Sequence, residues 1–212
     1  MNQNALFISL EGIDGAGKSS LKDHLVNYLK DVKVVCVREP GGTDISEKIR
    51  DLLLDVRNEE ILPKTEAMLY ATARSQLVEE VIRPALMAGN VVIADRYIDS
   101  TIAYQGYARG LEIKFLQELN DLSTSGLKPD LTLLLDLDPV IGQKRKQLGI
   151  PDRLEKEGLL FQAKVRKGYL NIAKEDPNRV KVLDASLSSE EVASNAIKVV
   201  AEFLKIGVKN ED

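Results

Sequence analysis

The chain is poor in the side chains that hold metals and form crosslinks. Cys36 is its only cysteine and His24 its only histidine. No internal disulfide can form, and a zinc site is disfavoured because it would need several Cys or His ligands. Cys36 lies within an apolar run, so a buried small hydrophobe is expected rather than a reactive thiol. Long hydrophobic stretches are also missing. No run approaches the ~20 residues of a membrane span, and the start of the chain has neither the basic residues nor the apolar centre of a signal peptide. A cytoplasmic protein with no membrane contact is expected. Basic surplus is lacking as well, with 29 Lys and Arg against 33 Asp and Glu and a net charge of −4. That balance argues against a general nucleic-acid partner, so any anionic ligand must be held by local clusters of Arg and Lys. No linker, repeat or low-complexity segment divides the 212 residues, and one domain over 1–212 is expected.

What the chain does contain is Gly12-Ile13-Asp14-Gly15-Ala16-Gly17-Lys18-Ser19. The stretch follows an apolar run, Ala5 to Leu10, that reads as a buried strand. It leads into Leu21, Leu25 and Leu29, spaced as one face of a helix. Strand, G-x-x-x-x-G-K-S and helix together are the setting of a phosphate-binding loop. The glycines let backbone N–H groups wrap an anion, and the helix N-terminus adds partial positive charge. Residues 12 to 19, with Ser20 beyond them, are expected to bind ATP. Lys18 would reach the outer phosphates and Ser19 would hold Mg²⁺.

Further along, Val32 to Val37 reads as a second strand and Arg38-Glu39-Pro40-Gly41-Gly42-Thr43 as a loop. Ile45, Ile49, Leu52 and Leu53 mark an amphipathic helix. A longer helical stretch starts at Pro63, with Ala67, Tyr70, Ala71, Arg74 and Val78 on or near one face. Pro84 should kink or restart it, and Gly89-Asn90 should end it. Val91 to Ala94 is a third strand running into Asp95-Arg96-Tyr97. An acid at that strand end suits Mg²⁺ support, or equally the N-cap of a helix from about Asp99. Phe115, Leu116, Leu119 and Leu122 form another stripe, and Leu131 to Leu137 is the most apolar strand. Asp138-Pro139 caps a short helix. The basic segment from Lys144 to Arg153 is either a solvated face or a lid that carries cations to an anionic ligand. A helix over about Leu154 to Lys174 and a strand over Val180 to Leu183 come next. Ser188 and Glu191 form a capping box for a last helix with Val192, Ile197, Val200 and Leu204 inward, and a polar tail closes the chain. Five strands alternating with helices give a parallel α/β sheet with helices on both faces. Its ligand site lies beyond the strands' carboxyl ends, where residues 12–19, 38–43, 95–97 and 144–153 meet.

A phosphate loop alone serves kinases, GTPase switches and motor ATPases alike. No Asn-Lys-x-Asp guanine-reading motif occurs, and the chain is small for a motor. The surplus of arginines about one small site favours transfer to a second phosphate. A regulatory ATP-binding module would not need them.

Taken together, Leu10 to Ser19, Arg38 to Thr43, Asp95 to Tyr97, Ala103-Tyr104-Gln105-Gly106 and Asp152-Arg153-Leu154-Glu155 resemble bacterial thymidylate kinases across nearly the whole chain. The resemblance implies transfer of the γ-phosphoryl of ATP to dTMP with Mg²⁺. It also implies a nucleoside-monophosphate-kinase fold with strand order 2-3-1-4-5, and a homodimer. Matched position by position, Lys18 and Ser19 hold ATP and Mg²⁺, with Asp95 supporting the metal's water shell. Asp14 approaches the acceptor's sugar hydroxyl or the metal, and Arg96 grips the acceptor phosphate. Arg74 bonds the thymine edge, and Tyr70 stands where the family usually has a stacking Phe. Tyr104 crowds the sugar's 2′ position, Gln105 lines the same pocket, and Thr101 approaches the base. Some members carry an arginine in the loop at the place of Gly15. This chain does not, so the resemblance assigns the transition-state cation to the lid, with Arg153 first and Arg145 second beside Lys146. Another nucleoside-monophosphate kinase is the neighbouring alternative.

Overall fold

Five short strands, β1 (Leu6–Glu11), β2 (Val34–Arg38), β3 (Val91–Asp95), β4 (Leu131–Asp136) and β5 (Val180–Asp184), form one sheet, all parallel, in the order 2-3-1-4-5. The computed structural model describes residues 5–146 and 152–209. Order and direction are those implied by the resemblance. β1 is central and buried at all six positions, as a parallel strand covered on both faces must be. Its polar Ser9 is satisfied by a 2.7 Å hydroxyl contact with Thr132 on β4. β2 is an edge strand with only β3 beside it, and there Cys36 is exposed. The expectation of a buried Cys36 is therefore wrong: an apolar run at a sheet edge does not guarantee cover on both faces.

The helices are α1 (Lys18–Tyr28), α2 (Asp44–Leu54), α3 (Pro63–Leu77), α4 (Arg83–Met87), α5 (Ile98–Thr101), α6 (Ile113–Thr124), α7 (Pro139–Arg145), α8 (Gly158–Glu175) and α9 (Ser189–Lys209). Local chemistry sets several of their ends. Thr43 caps α2 by accepting from the Ser46 N–H, and Asp138 caps α7 by accepting from the Val140 N–H, with Pro139 at the first turn. Ser188 and Glu191 close the reciprocal capping box on α9. Pro84 stands in the first turn of α4, where the α-helix restarts after α3. A wide π-helical turn over Val78–Ile82 joins α3 to α4, and the Arg83 N–H reaches Val78 O. A second π segment, Ile102–Ala108, extends α5. On the last helix Val192 and Val200 are buried, but Leu204 is exposed; Leu122 on α6 is 81% exposed, and Ile45 and Leu52 on α2 are exposed too. A helix that covers one sheet face hides only part of its apolar stripe, so these positions extend past the core.

Candidate active site

At the carboxyl ends of β1, β2, β3 and β5 opens a cleft of about 1050 Å³. Its first wall is the phosphate loop. Gly12, Gly15 and Gly17 all have positive φ (140°, 78° and 95°), which lets residues 12–17 curl over the N-terminus of α1. Ile13 and Ala16 are buried under the curl, while Ser19 and Ser20 are exposed. The Ser20 hydroxyl lies 2.7 Å from that of Ser189 at the start of α9. Gly15 packs directly on Gly142 of α7, and a Cβ on either would overlap the other segment's backbone. A side chain as large as arginine has no room at position 15.

Lys18 is buried, and its Nζ donates to the carbonyls of Gly12 and Ile13, each at 3.2 Å. Burial lowers its pKa to about 8 with help from the nearby Arg96, against the opposing pull of Asp95 and Asp14. Asp14 points from the loop to Arg96 at 2.6 Å and to Lys146 at 3.4 Å. Burial alone would raise its pKa, but Arg96, Lys18 and Lys146 outweigh that and hold it well below the usual carboxylate range.

Arg96 is the hinge of the second wall. Its φ of 71° is left-handed, rare outside glycine. The turn is held by its own N–H on Leu10 O and by the Tyr97 N–H on the Glu11 carboxylate. This aims the guanidinium at Asp14, Ser100, the Tyr104 hydroxyl (3.0 Å) and the Tyr169 hydroxyl (3.1 Å), and stacks it 4.9 Å over the Tyr104 ring. Asp95 stands beside it at the end of β3, on the cleft. Ser19 and Asp95 give one hydroxyl and one carboxylate. That donor set is thin for a protein-only metal cage but suits Mg²⁺, which keeps waters and takes the rest of its oxygens from phosphates. Among the described residues no three His, Cys, Asp or Glu side chains cluster to hold a metal by themselves.

The third wall comes from α3 and the second π segment. Arg74 is 2% exposed. Its Nε donates to Glu39 (2.7 Å), Nη1 to Asn120 (2.7 Å), and Nη2 to Thr101 (2.9 Å) and the Tyr97 carbonyl (3.3 Å). Of five N–H donors, four are used within the protein, and one on Nη1 has no partner among the described residues. Tyr70, Thr101, Tyr104 and Gln105 line the cleft beside it. Burial raises the pKa of Tyr70 and Tyr104 and keeps both phenols neutral. The π segment brings the consecutive residues Tyr104 and Gln105 to one buried side, since a wider turn rotates less per residue.

One expected contact is absent. Arg153 does not lie over the phosphate loop and is not part of the cleft wall. Its N–H meets Leu54 O at 3.2 Å and its Nε donates to Leu53 O at 2.7 Å. Its Nη2 sits 2.6 Å from the Glu66 carboxylate, with the N–H bonds not aimed at that oxygen. Glu66 is fully buried, and a buried carboxylate without cations is costly, so it captures Arg153. The lid cations that do line the cleft are Lys146, paired with Asp14 and with Glu155 at 2.7 Å, and Arg145, whose guanidinium donates to the Ala185 and Ser186 carbonyls. Residues 147–151 of the expected lid lie outside the described residues, as do 210–212 of the polar tail.

Sequence reading passed over several contributors. Arg38 and Arg50 line the cleft and both donate to Pro40 O. Glu11 and Glu39 are buried acids, each with its pKa raised to about 7, mainly by burial. Glu11, Glu39 and Arg38 belong to stretches that stand out in the sequence, but nothing local in the sequence marks Glu66 or Asn120.

A phosphate loop facing a buried, arginine-rich pocket across one cleft, on a 2-3-1-4-5 parallel sheet, defines a P-loop phosphotransferase of the nucleoside-monophosphate-kinase type. Residues 10–196 match the family model described as thymidylate kinase. The chain is 47% identical to the thymidylate kinase of Oenococcus oeni over 96% of this chain and 98% of the relative. It is 46% identical to that of Symbiobacterium thermophilum, over 94% of each. Among solved structures, the crystal structure of thymidylate kinase from Ehrlichia chaffeensis superposes with a TM-score of 0.78 at 33% identity, covering 93% of this chain and 99% of that one. The chain belongs to the thymidylate kinase family.

Proposed function

We propose that this chain transfers the γ-phosphoryl group of ATP to dTMP, giving dTDP and ADP on the route to dTTP, and that it works in the cytoplasm. The observation that carries the reading is the pairing, in one cleft, of a phosphate loop with the Arg74, Thr101, Tyr104 and Gln105 pocket. The residues 12–20 cradle ATP, and Lys18 turns from the loop carbonyls to the outer phosphates. Ser19, and Asp95 through water, would hold Mg²⁺, which when bound would supply positive charge at the transferring group. Arg96 receives the acceptor phosphate with Arg38 and Arg50 nearby, and Asp14 keeps Arg96 aimed. Tyr70 and Tyr104 enclose base and sugar, and the spare Arg74 N–H meets a base carbonyl.

The acceptor needs no strong base, because a phosphate oxygen with a second pKa of about 6 is largely ionised at neutral pH. The obstacle is repulsion between two polyanions, which Lys18, Arg96 and the lid cations Lys146 and Arg145 offset. Closure of the lid also keeps water from the γ-phosphate. The geometry favours Lys146 and Arg145 over Arg153 as the cations at the transferring group. A homodimer fits Ile45 and Leu52 on α2, Met68 on α3 and Leu122 on α6, all exposed on helices that pack side by side. No helix among the described residues is long and apolar enough to cross a membrane, and the net charge of −4 suits small anionic substrates held locally rather than nucleic acid.

ADP release measured with dTMP, dUMP, ribo-TMP, dCMP, AMP and GMP tests the reading. The thymine methyl is worth about 1–3 kcal/mol, so dUMP should be a poor but real substrate, and dCMP a worse one. ADP release that no monophosphate stimulates, or a preference for AMP or GMP, would refute it.

A further inference from the structure

Glu66, on the first turn of α3, is fully buried and does not line the cleft, yet three side chains converge on it. The Gln105 side-chain nitrogen donates to its Oε1 at 2.9 Å. Arg109 donates from Nε and Nη2 at 3.3 and 3.2 Å, and Arg153 sits 2.6 Å from Oε2. Paired with two guanidinium groups, the carboxylate offers only acceptors. The Gln105 amide can therefore approach it only through its NH₂ end. The carbonyl end, which accepts from no described residue, is left for the cleft that Gln105 lines.

We propose that Glu66 is a positioning residue for base selection: it locks the Gln105 amide so that an acceptor, never a donor, faces the ring nitrogen of the incoming base. The inference rests on the thymidylate reading above. A thymine or uracil ring carries N–H at that position and is accepted, whereas a cytosine ring carries a lone pair and meets another lone pair. Together with the spare Arg74 donor, the pocket wall then presents one donor and one acceptor in fixed order, and Glu66 sets half of that order without touching the substrate.

The test compares dTMP with 5-methyl-dCMP, which keeps the methyl group and reverses only the hydrogen-bonding edge. In Glu66→Gln the partner of Gln105 offers both a donor and an acceptor, so the amide is free to turn over. Efficiency with 5-methyl-dCMP relative to dTMP should rise about 10-fold, the order of one mispaired buried group, chiefly through KM. Arg109→Gln removes charge from the same cluster without changing what Gln105 sees, and should leave the ratio where it is. Gln105→Leu should abolish the effect of adding Glu66→Gln. An unchanged ratio in Glu66→Gln, with dTMP turnover intact, overturns the positioning role and leaves the thymidylate reading standing. If Glu66→Gln does not fold, the wild type decides by itself against Gln105→Leu: discrimination against 5-methyl-dCMP must be present in the first and reduced about 10-fold in the second, and equal discrimination overturns the proposal. A wild type that does not use dTMP overturns both.

Discussion

The two ends of the cleft are built from different materials. The phosphate-loop end is one continuous stretch, made mostly of backbone, with Ser19 and Ser20 exposed and its lid cation Lys146 held by partly exposed partners. The acceptor end is made of side chains from β2's exit, α3, the strand-end turn at Arg96, the π segment and α6, nearly all buried and bonded to one another. The first end binds by geometry that glycine permits. The second binds by a polar network that is expensive unless complete. Mutations at the first should cost function alone, and mutations at the second should cost function and stability together.

The largest expected effect is at the loop. Lys18→Ala should lower kcat by about 10²–10³, the scale of losing one preorganised charge donor, while the melting temperature stays close to wild type, because the lysine's principal partner is the ligand. Calorimetry beside a turnover assay checks both halves. A large drop in melting temperature would erase the contrast between the two ends.

Next comes the acceptor end. Arg74→Met strips Glu39, Asn120 and Thr101 of their shared donor, and with Glu39 able to keep its proton the loss is about 1–3 kcal/mol. At about 2–4 °C per kcal/mol for a chain this size, melting should fall by roughly 5 °C, together with dTMP turnover. A stable but inactive Arg74→Met protein would mean that the network is there for the substrate only.

The lid offers a sharper version within one segment. Lys146→Gln should lower kcat roughly 10- to 100-fold, short of the 10³–10⁵ of an arginine finger, with little change in stability. Arg153→Gln should do the reverse, costing about 1–3 kcal/mol at Glu66 with a smaller change in kcat. Exchange of these two phenotypes would return the transition-state role to Arg153.

The smallest effects are in pH dependence, and they fall in different observables. Lys18 has a pKa lowered to about 8, so it is charged below that value, and kcat/KM for ATP should decline as pH rises through about 8. Lys18→Arg should remove that limb. Glu39 keeps its proton in the folded chain up to about pH 7, against a usual 4.5. The folded chain binds more protons across that window, so stability falls as pH rises from about 4.5 to 7. Glu39→Gln should flatten part of the slope in denaturant melts, the remainder belonging to Glu11, which shifts in the same direction. An identical slope in wild type and variant would deny Glu39 its raised pKa.

The sequence by itself determined the strands, their parallel arrangement, the loop at residues 12–19 and the family. All of these are written in contiguous patterns, whether a run of apolar residues, a glycine spacing or a cap. It also named Arg96, Tyr104 and Gln105, because they sit inside motifs, and Arg74 by its matched position on a helical stripe. Only the tertiary structure decided what those side chains face. It put Cys36 on an exposed edge, opened π turns at Val78–Ile82 and Ile102–Ala108, and drew Arg153 away from the loop to Glu66. The physical reason is the same in each case. Cover at a sheet edge, the pitch of a helix under packing and the partner of a buried charge depend on residues 30 to 90 positions away, as Glu66 does for Gln105 and Arg153, and no local pattern records them.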